Sequence, residues 1–92
     1  MKSISLNQHA PIISDEIAGA EILKEIQDLL TTEDIVSIDM SDIKSMATFC
    51  SKQIFGKLYL ELGAENFFNR IEIRNATDNV KTIIRIGIES VL

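Results

Sequence analysis

The side chains whose types could do chemistry gather between Asp39 and Ser51. Asp39 and Asp42 flank the carboxyl end of an apolar run that reads as a strand, and open α/β sheets bind ligands at that end. Paired acids there suit Mg²⁺ or a phosphoryl group. No third carboxylate adjoins them and phosphate-binding glycines are missing, so a strand-end acid and an Asp bonding its own turn are the simpler reading. Cys50 near a helix start has the setting of an activated thiol. It also sits at core spacing with Ile54 and Leu58, and the only histidine, His9, is far away in sequence. The thiol therefore reads as core. His9 alone makes no metal site, and no CxxC or HExxH pattern exists. Ser41, Ser45, Thr48 and Ser51 place hydroxyls around the same helix start. One of them could take a phosphate there, although capping and turn bonding are their commoner work. Phe49 is either a core staple or a binding anchor at a loop–helix junction.

No set of groups here composes a catalytic centre. The sequence predicts a non-enzymatic binding module without cofactor or metal. The alternative is a small ligand- or metal-binding domain or enzyme using Asp39, Asp42 and Thr48 at the strand end. The whole chain has 92 residues, enough for one domain. Apolar residues make up 46% of it, which argues against disorder. Trp is absent and aromatics are few, so the core must be aliphatic. The formal net charge of -5, with scattered Lys and Arg, disfavours nucleic acid and anionic membrane surfaces as partners. A single cysteine forms no internal disulfide and fits a reducing compartment. Residues Met1 to Leu6 alternate instead of forming an apolar signal core. No apolar run approaches the roughly 20 residues that span a bilayer. The expected location is the cytoplasm.

The elements that must position these residues follow from hydrophobic rhythm. Ser3 to Leu6 alternates as a short strand, and Pro11 to Ile13 reads as a second. Ser14 is the expected N-cap of a helix whose first turn holds Asp15 and Glu16. Gly19, Ile22, Leu23, Ile26 and Leu30 form its apolar face. Ile35 to Met40 is mostly apolar, as in an interior strand covered on both faces. Met46 to Leu62 is a long amphipathic helix stopped by Gly63. Ala64 to Asn66 leads into Phe67 and Phe68, and Arg70 to Arg74 alternates as a strand. Thr77 caps a last helix with Val80, Ile83, Ile84, Gly87, Ile88 and Val91 on one stripe. Gly87 lies on that stripe, where close approach of a neighbour is one explanation. Strands alternating with helices imply βαβ units and a small α/β layer.

Three stretches resemble one family. They are Ser37-Ile38-Asp39-Met40-Ser41-Asp42-Ile43, then Phe55-Gly56-Lys57-Leu58 with its continuation to Gly63, then Ile71 through Ile84. Together, from about Ile4, they are similar to the STAS domain family of anti-anti-sigma factors, and more closely to its bacterial STAS-like branch of unknown function. The resemblance implies a four- to five-stranded, mostly parallel mixed sheet with three main helices packed mainly on one face. It also implies partner switching: binding to a histidine-kinase-like ATPase, an anti-sigma-type kinase, with release on phosphorylation at the helix start. The family's usual Asp-Ser-Ser/Thr-Gly is here Ala47-Thr48-Phe49-Cys50. Phe49 holds the usual phosphoacceptor position and has no hydroxyl. Thr48, one residue earlier, is the only hydroxyl of the tetrad and so the phosphorylation candidate. The expected partner-binding residues are Ser41, Asp42, Lys44, Ser45, Thr48, Phe49 and Lys52. Self-association through a free sheet edge is a further expectation.

Overall fold

A computed structural model describes residues 2–92. Alternation of the two rhythms builds parallel ladders. β1 (Lys2–Ser5), β3 (Val36–Asp39) and β5 (Ile71–Arg74) form a three-stranded sheet in the order β1-β3-β5, both pairs parallel. β2 (Ile12–Ile13) and β4 (Ser45–Met46) pair separately, also in parallel. The crossovers are α1 (Glu16–Leu30) and a helical run made of α2 (Thr48–Ser51), a π turn (Lys52–Gly56) and α3 (Lys57–Arg70). α4 (Asp78–Glu89) closes the chain. This is the expected small α/β layer with parallel strands, its strands divided between two ladders. Pro11 helps explain the division. Its carbonyl accepts from the N–H groups of Lys44 and Ser45, at 2.8 and 3.4 Å, which joins β2 to the short β4.

The strand register shows how the sheet is covered. Ile4, Ile38 and Ile73 are aligned on one face, with Ser3, Ser37 and Glu72 as the next row on the other. The central strand is covered on both faces as expected, with Val36, Ser37 and Ile38 all fully buried, although its second face carries the polar Ser37. The Ser37 hydroxyl on that face donates to Glu72 Oε1 at 3.3 Å. The Ile face joins the core with Ile22, Ile26, Ile54, Phe55 and Val80, all fully buried.

Helix ends depart from expectation by definite contacts. Asp15, not Ser14, caps α1: its carboxylate accepts from the Ile17 N–H at 2.9 Å. Gly63 does stop the helix begun at Thr48. Its φ of 80° and ψ of 162° lie in a region essentially reserved for glycine. The chain then turns helical again instead of running directly to the strand. Phe67 is buried and packs on Tyr59 with ring centroids 5.6 Å apart, which favours that extra turn. Arg70 thereby ends α3 instead of starting β5. Its guanidinium donates to the carbonyls of Leu30, Glu33 and Asp34 at 2.8, 3.0 and 3.0 Å. Carbonyls left without helical partners at the end of α1 are satisfied from a residue some 40 positions later.

α4 lies against the helical run with almost no space between backbones. A Cβ on Gly87 would stand 2.1 Å from the Ser51 hydroxyl oxygen and 2.6 Å from the Ser51 carbonyl carbon, and one on Gly56 would stand 2.9 Å from the Gly87 carbonyl oxygen. The Ser51 hydroxyl, buried in that contact, donates to the Ile83 carbonyl at 2.8 Å. Glycine is therefore needed on the stripe for close approach. Gly87→Ala is expected to cost about 1–3 kcal/mol in denaturant unfolding, the range of overpacked cores. Adding Ser51→Gly should restore only part of the loss, since it removes the hydroxyl oxygen and Cβ at 2.1 and 2.8 Å but leaves the Ser51 carbonyl carbon at 2.6 Å.

Candidate functional site

The segment from Ser41 to Ser51 is held from beneath at several points. The Asp39 carboxylate is the first. Its Oδ1 accepts from the Ser41 N–H at 3.0 Å and from the Asn75 side-chain amide at 3.1 Å. It joins the loop after β3 to the loop after β5, where Asn75 turns the chain with φ of 60°. The Asn75 hydrogen bond, then that of the Ser41 N–H, holds the Asp39 carboxyl below its ordinary range. The second hold is Asn79 at the start of α4, whose amide donates to the Lys44 carbonyl at 3.1 Å. The third is the Ala47 N–H, which donates to the Ile13 carbonyl at 2.8 Å. Ile43 and Met46 point into the core and anchor the loop between them.

On this frame Ser41, Asp42, Lys44, Thr48, Phe49 and Lys52 are exposed, and Ser45 is half-buried. Phe49 is 53% exposed and takes no place in the core, which overturns the core-staple reading. The hydroxyls do not act as caps. The N-cap of α2 is Ala47, which has no side chain for the task, while Ser51 is buried against α4. The Thr48 hydroxyl makes no hydrogen bond among the described residues. Cys50 is buried, with its thiol 3.6 Å from the Asp15 carbonyl. Burial, and then the charges of Asp15 and Glu16, push the thiol pKa up, away from nucleophilic use.

The strand-end alternative fares differently by residue. Asp39 is occupied as a clasp between two loops, and Asp42 stands in solvent. Among the described residues no group of three or more His, Cys, Asp or Glu is placed to hold a metal ion. No helix among them is long and apolar enough to cross a membrane.

A groove of about 420 Å³ continues from the helix tip, lined by Leu23, Phe49, Lys52, Gln53, Lys57, Leu60 and Val91. Its lining is mainly apolar side chains and lysine stems. Leu60 is 61% exposed, and neither lysine has an ion-pair partner among the described residues. Sequence reasoning selected Phe49 and Lys52 but missed Lys57 and Leu60. A second helical stripe at Phe49, Lys52, Gln53, Lys57 and Leu60, opposite the core stripe, was the available signal. The π turn lies in the middle of it, a feature often found at functional positions.

A family model described as a STAS-like domain of unknown function matches residues 18–81, from α1 through β5 into the first turn of α4. No curated protein and no solved structure matches.

The Asp39 clasp has a pH signature. Its folded pKa lies below the unfolded value, so the stability it contributes is present above the unfolded pKa and is lost as pH falls through the folded one. Asn75→Gly keeps the left-handed turn and deletes the strongest donor. In a carbon-detected NMR titration of the variant, the Asp39 pKa should rise toward the ordinary carboxylate range. An unchanged pKa would mean that the Asn75 amide does not hold this carboxylate in solution.

Proposed function

The chain belongs to the STAS-like domain family of unknown function, and on that premise we propose a non-enzymatic regulatory module that binds a protein partner through Ser41–Ser51. The observation that carries this reading is the exposure of Phe49 on a tip held rigid by the Asp39 clasp and the Asn79 contact. Burying a Phe side chain in a partner gains about 1.5–3 kcal/mol, and a preformed tip loses little entropy on docking. Asp42, Lys44, Thr48 and Lys52 supply a polar rim of both charges around that anchor. A cytoplasmic setting suits the lone, buried thiol.

Partner switching belongs to the same proposal. The partner of choice is an ATPase-type kinase, and Thr48 is the residue it would modify. Thr48 is exposed at the first helical position, beside the anchor. A phosphate there is favoured by the helix dipole and sets about two negative charges against an apolar contact. That combination supports release.

Phe49→Ala should shift unfolding stability by less than about 1 kcal/mol, and lower affinity for an ATPase-type kinase of the same host by about tenfold or more. Calorimetric titration of both forms reads the two effects, and equal affinities would remove Phe49 as the anchor. Incubation with that kinase and ATP should put one phosphate on the chain and none on Thr48→Ala, by intact mass. Absence of incorporation would leave a binding module without this switch.

A further inference from the structure

The open side of the sheet carries a second surface, independent of the helix tip. β5 is an edge strand, since the ladder ends with it. The Met40 N–H donates to the Arg74 carbonyl at 2.9 Å, so Arg74 turns its backbone groups inward to β3. Successive residues of a strand face opposite sides, which turns the N–H and C=O of Ile73 outward. We propose that this edge pairs with β5 of a second copy of the chain, antiparallel about a twofold axis at Ile73.

Three observations select this occupant. First, a twofold pair centred on Ile73 lets the two copies exchange both N–H···O=C bonds there, the narrow hydrogen-bonded arrangement of antiparallel strands. Second, that register sets Glu72 opposite Arg74 of the other copy, and Arg74 opposite its Glu72. Within each chain these two already touch, so the pairing makes a ring of four alternating charges. Edge charges that guard against aggregation repel a second copy, whereas these attract it. A twofold at Glu72 instead would oppose like charges and use backbone groups already given to β3. Third, a mainly apolar groove of about 500 Å³ lies beside the edge, lined in part by Phe67, Phe68, Ile73 and Ile88. Phe68, in edge contact with Tyr59 and Phe67, is still 68% exposed there. Lys81 and Arg85, the latter paired with Glu89 at 3.4 Å, also line it. The opposite edge, β1, reads Lys-Ser-Ile-Ser and offers no such self-complementary charges.

Sedimentation velocity of the full chain, from micromolar to about 1 mM, tests the pairing. The wild-type protein should dimerise with concentration. Arg74→Glu and Glu72→Arg should each weaken dimerisation about tenfold or more, while Glu72→Arg/Arg74→Glu should recover it to within about threefold. Circular dichroism checks that each variant is folded. Hydrogen exchange of the wild-type Ile73 amide gives a readout that needs no variant, and it should slow as concentration rises. A monomer across the whole range would overturn the proposal. So would a dimer indifferent to the single swaps, or Ile73 protection that appears only when a different protein is added.

Discussion

The contact on which the rest depends is the backbone approach of α4 to the helical run at Gly87, Ser51 and Gly56. Any side chain at Gly87 meets the hydroxyl and the carbonyl carbon of Ser51, and any at Gly56 meets the Gly87 carbonyl. The interface is therefore specified by the lack of bulk, with one buried hydroxyl bond, Ser51 to Ile83, fixing its register. The proposed binding face belongs to the same helical run. Cys50 and Ser51 point inward to α1 and α4, and that orientation leaves Phe49 and Lys52 outward. Close packing on one side of the run is thus the cause of exposure on the other.

Two long-range polar ties complete this arrangement. Arg70 closes the end of α1 with three carbonyl bonds, and Asp39 joins the loops that follow β3 and β5. Each satisfies groups that a short loop cannot satisfy alone. The Asp39 tie also bears on the strand-end reading. A carboxylate at the end of a central strand has the position of a ligand-binding group, but here it is committed to a backbone N–H and an amide. The position is shared with enzymes; the partners are structural.

Much of the fold was legible in the sequence because burial leaves a periodic trace. The stripe Val80, Ile83, Ile84, Gly87, Ile88, Val91 predicts α4, and each of those residues is at least half-buried. Gly63 marks the end of the helix, as only glycine accepts its backbone angles. What stayed hidden was decided by distant partners. Nothing near Arg70 signals that it caps a helix some 40 residues earlier, so an alternating strand starting there was the reasonable local reading. The two-ladder division depends on Pro11 meeting Lys44 and Ser45 across α1 and β3. Hydroxyls near a helix start looked like caps, yet the capping position falls on Ala47, whose N–H donates to the Ile13 carbonyl. For the candidate site, Phe49 and Lys52 were readable from their place at the junction. Lys57 and Leu60 needed the reverse face of the helix to be counted as carefully as the core face.

The residue at the junction also bears on how such a module can be controlled. A hydroxyl at position 49 would let a phosphate act at the point of contact itself. In the proposed interface Phe49 would make that point a desolvated apolar contact, whose strength depends on buried area and little on ionic strength. Control by charge must then come from a neighbour, and Thr48 precedes the anchor in the same helical turn. A phosphate on Thr48 does not remove the Phe49 side chain. It makes burial of that side chain carry the desolvation of two adjacent charges, which costs more than an apolar contact of this size returns. The switch would therefore act by raising the desolvation cost of an interface that is otherwise intact.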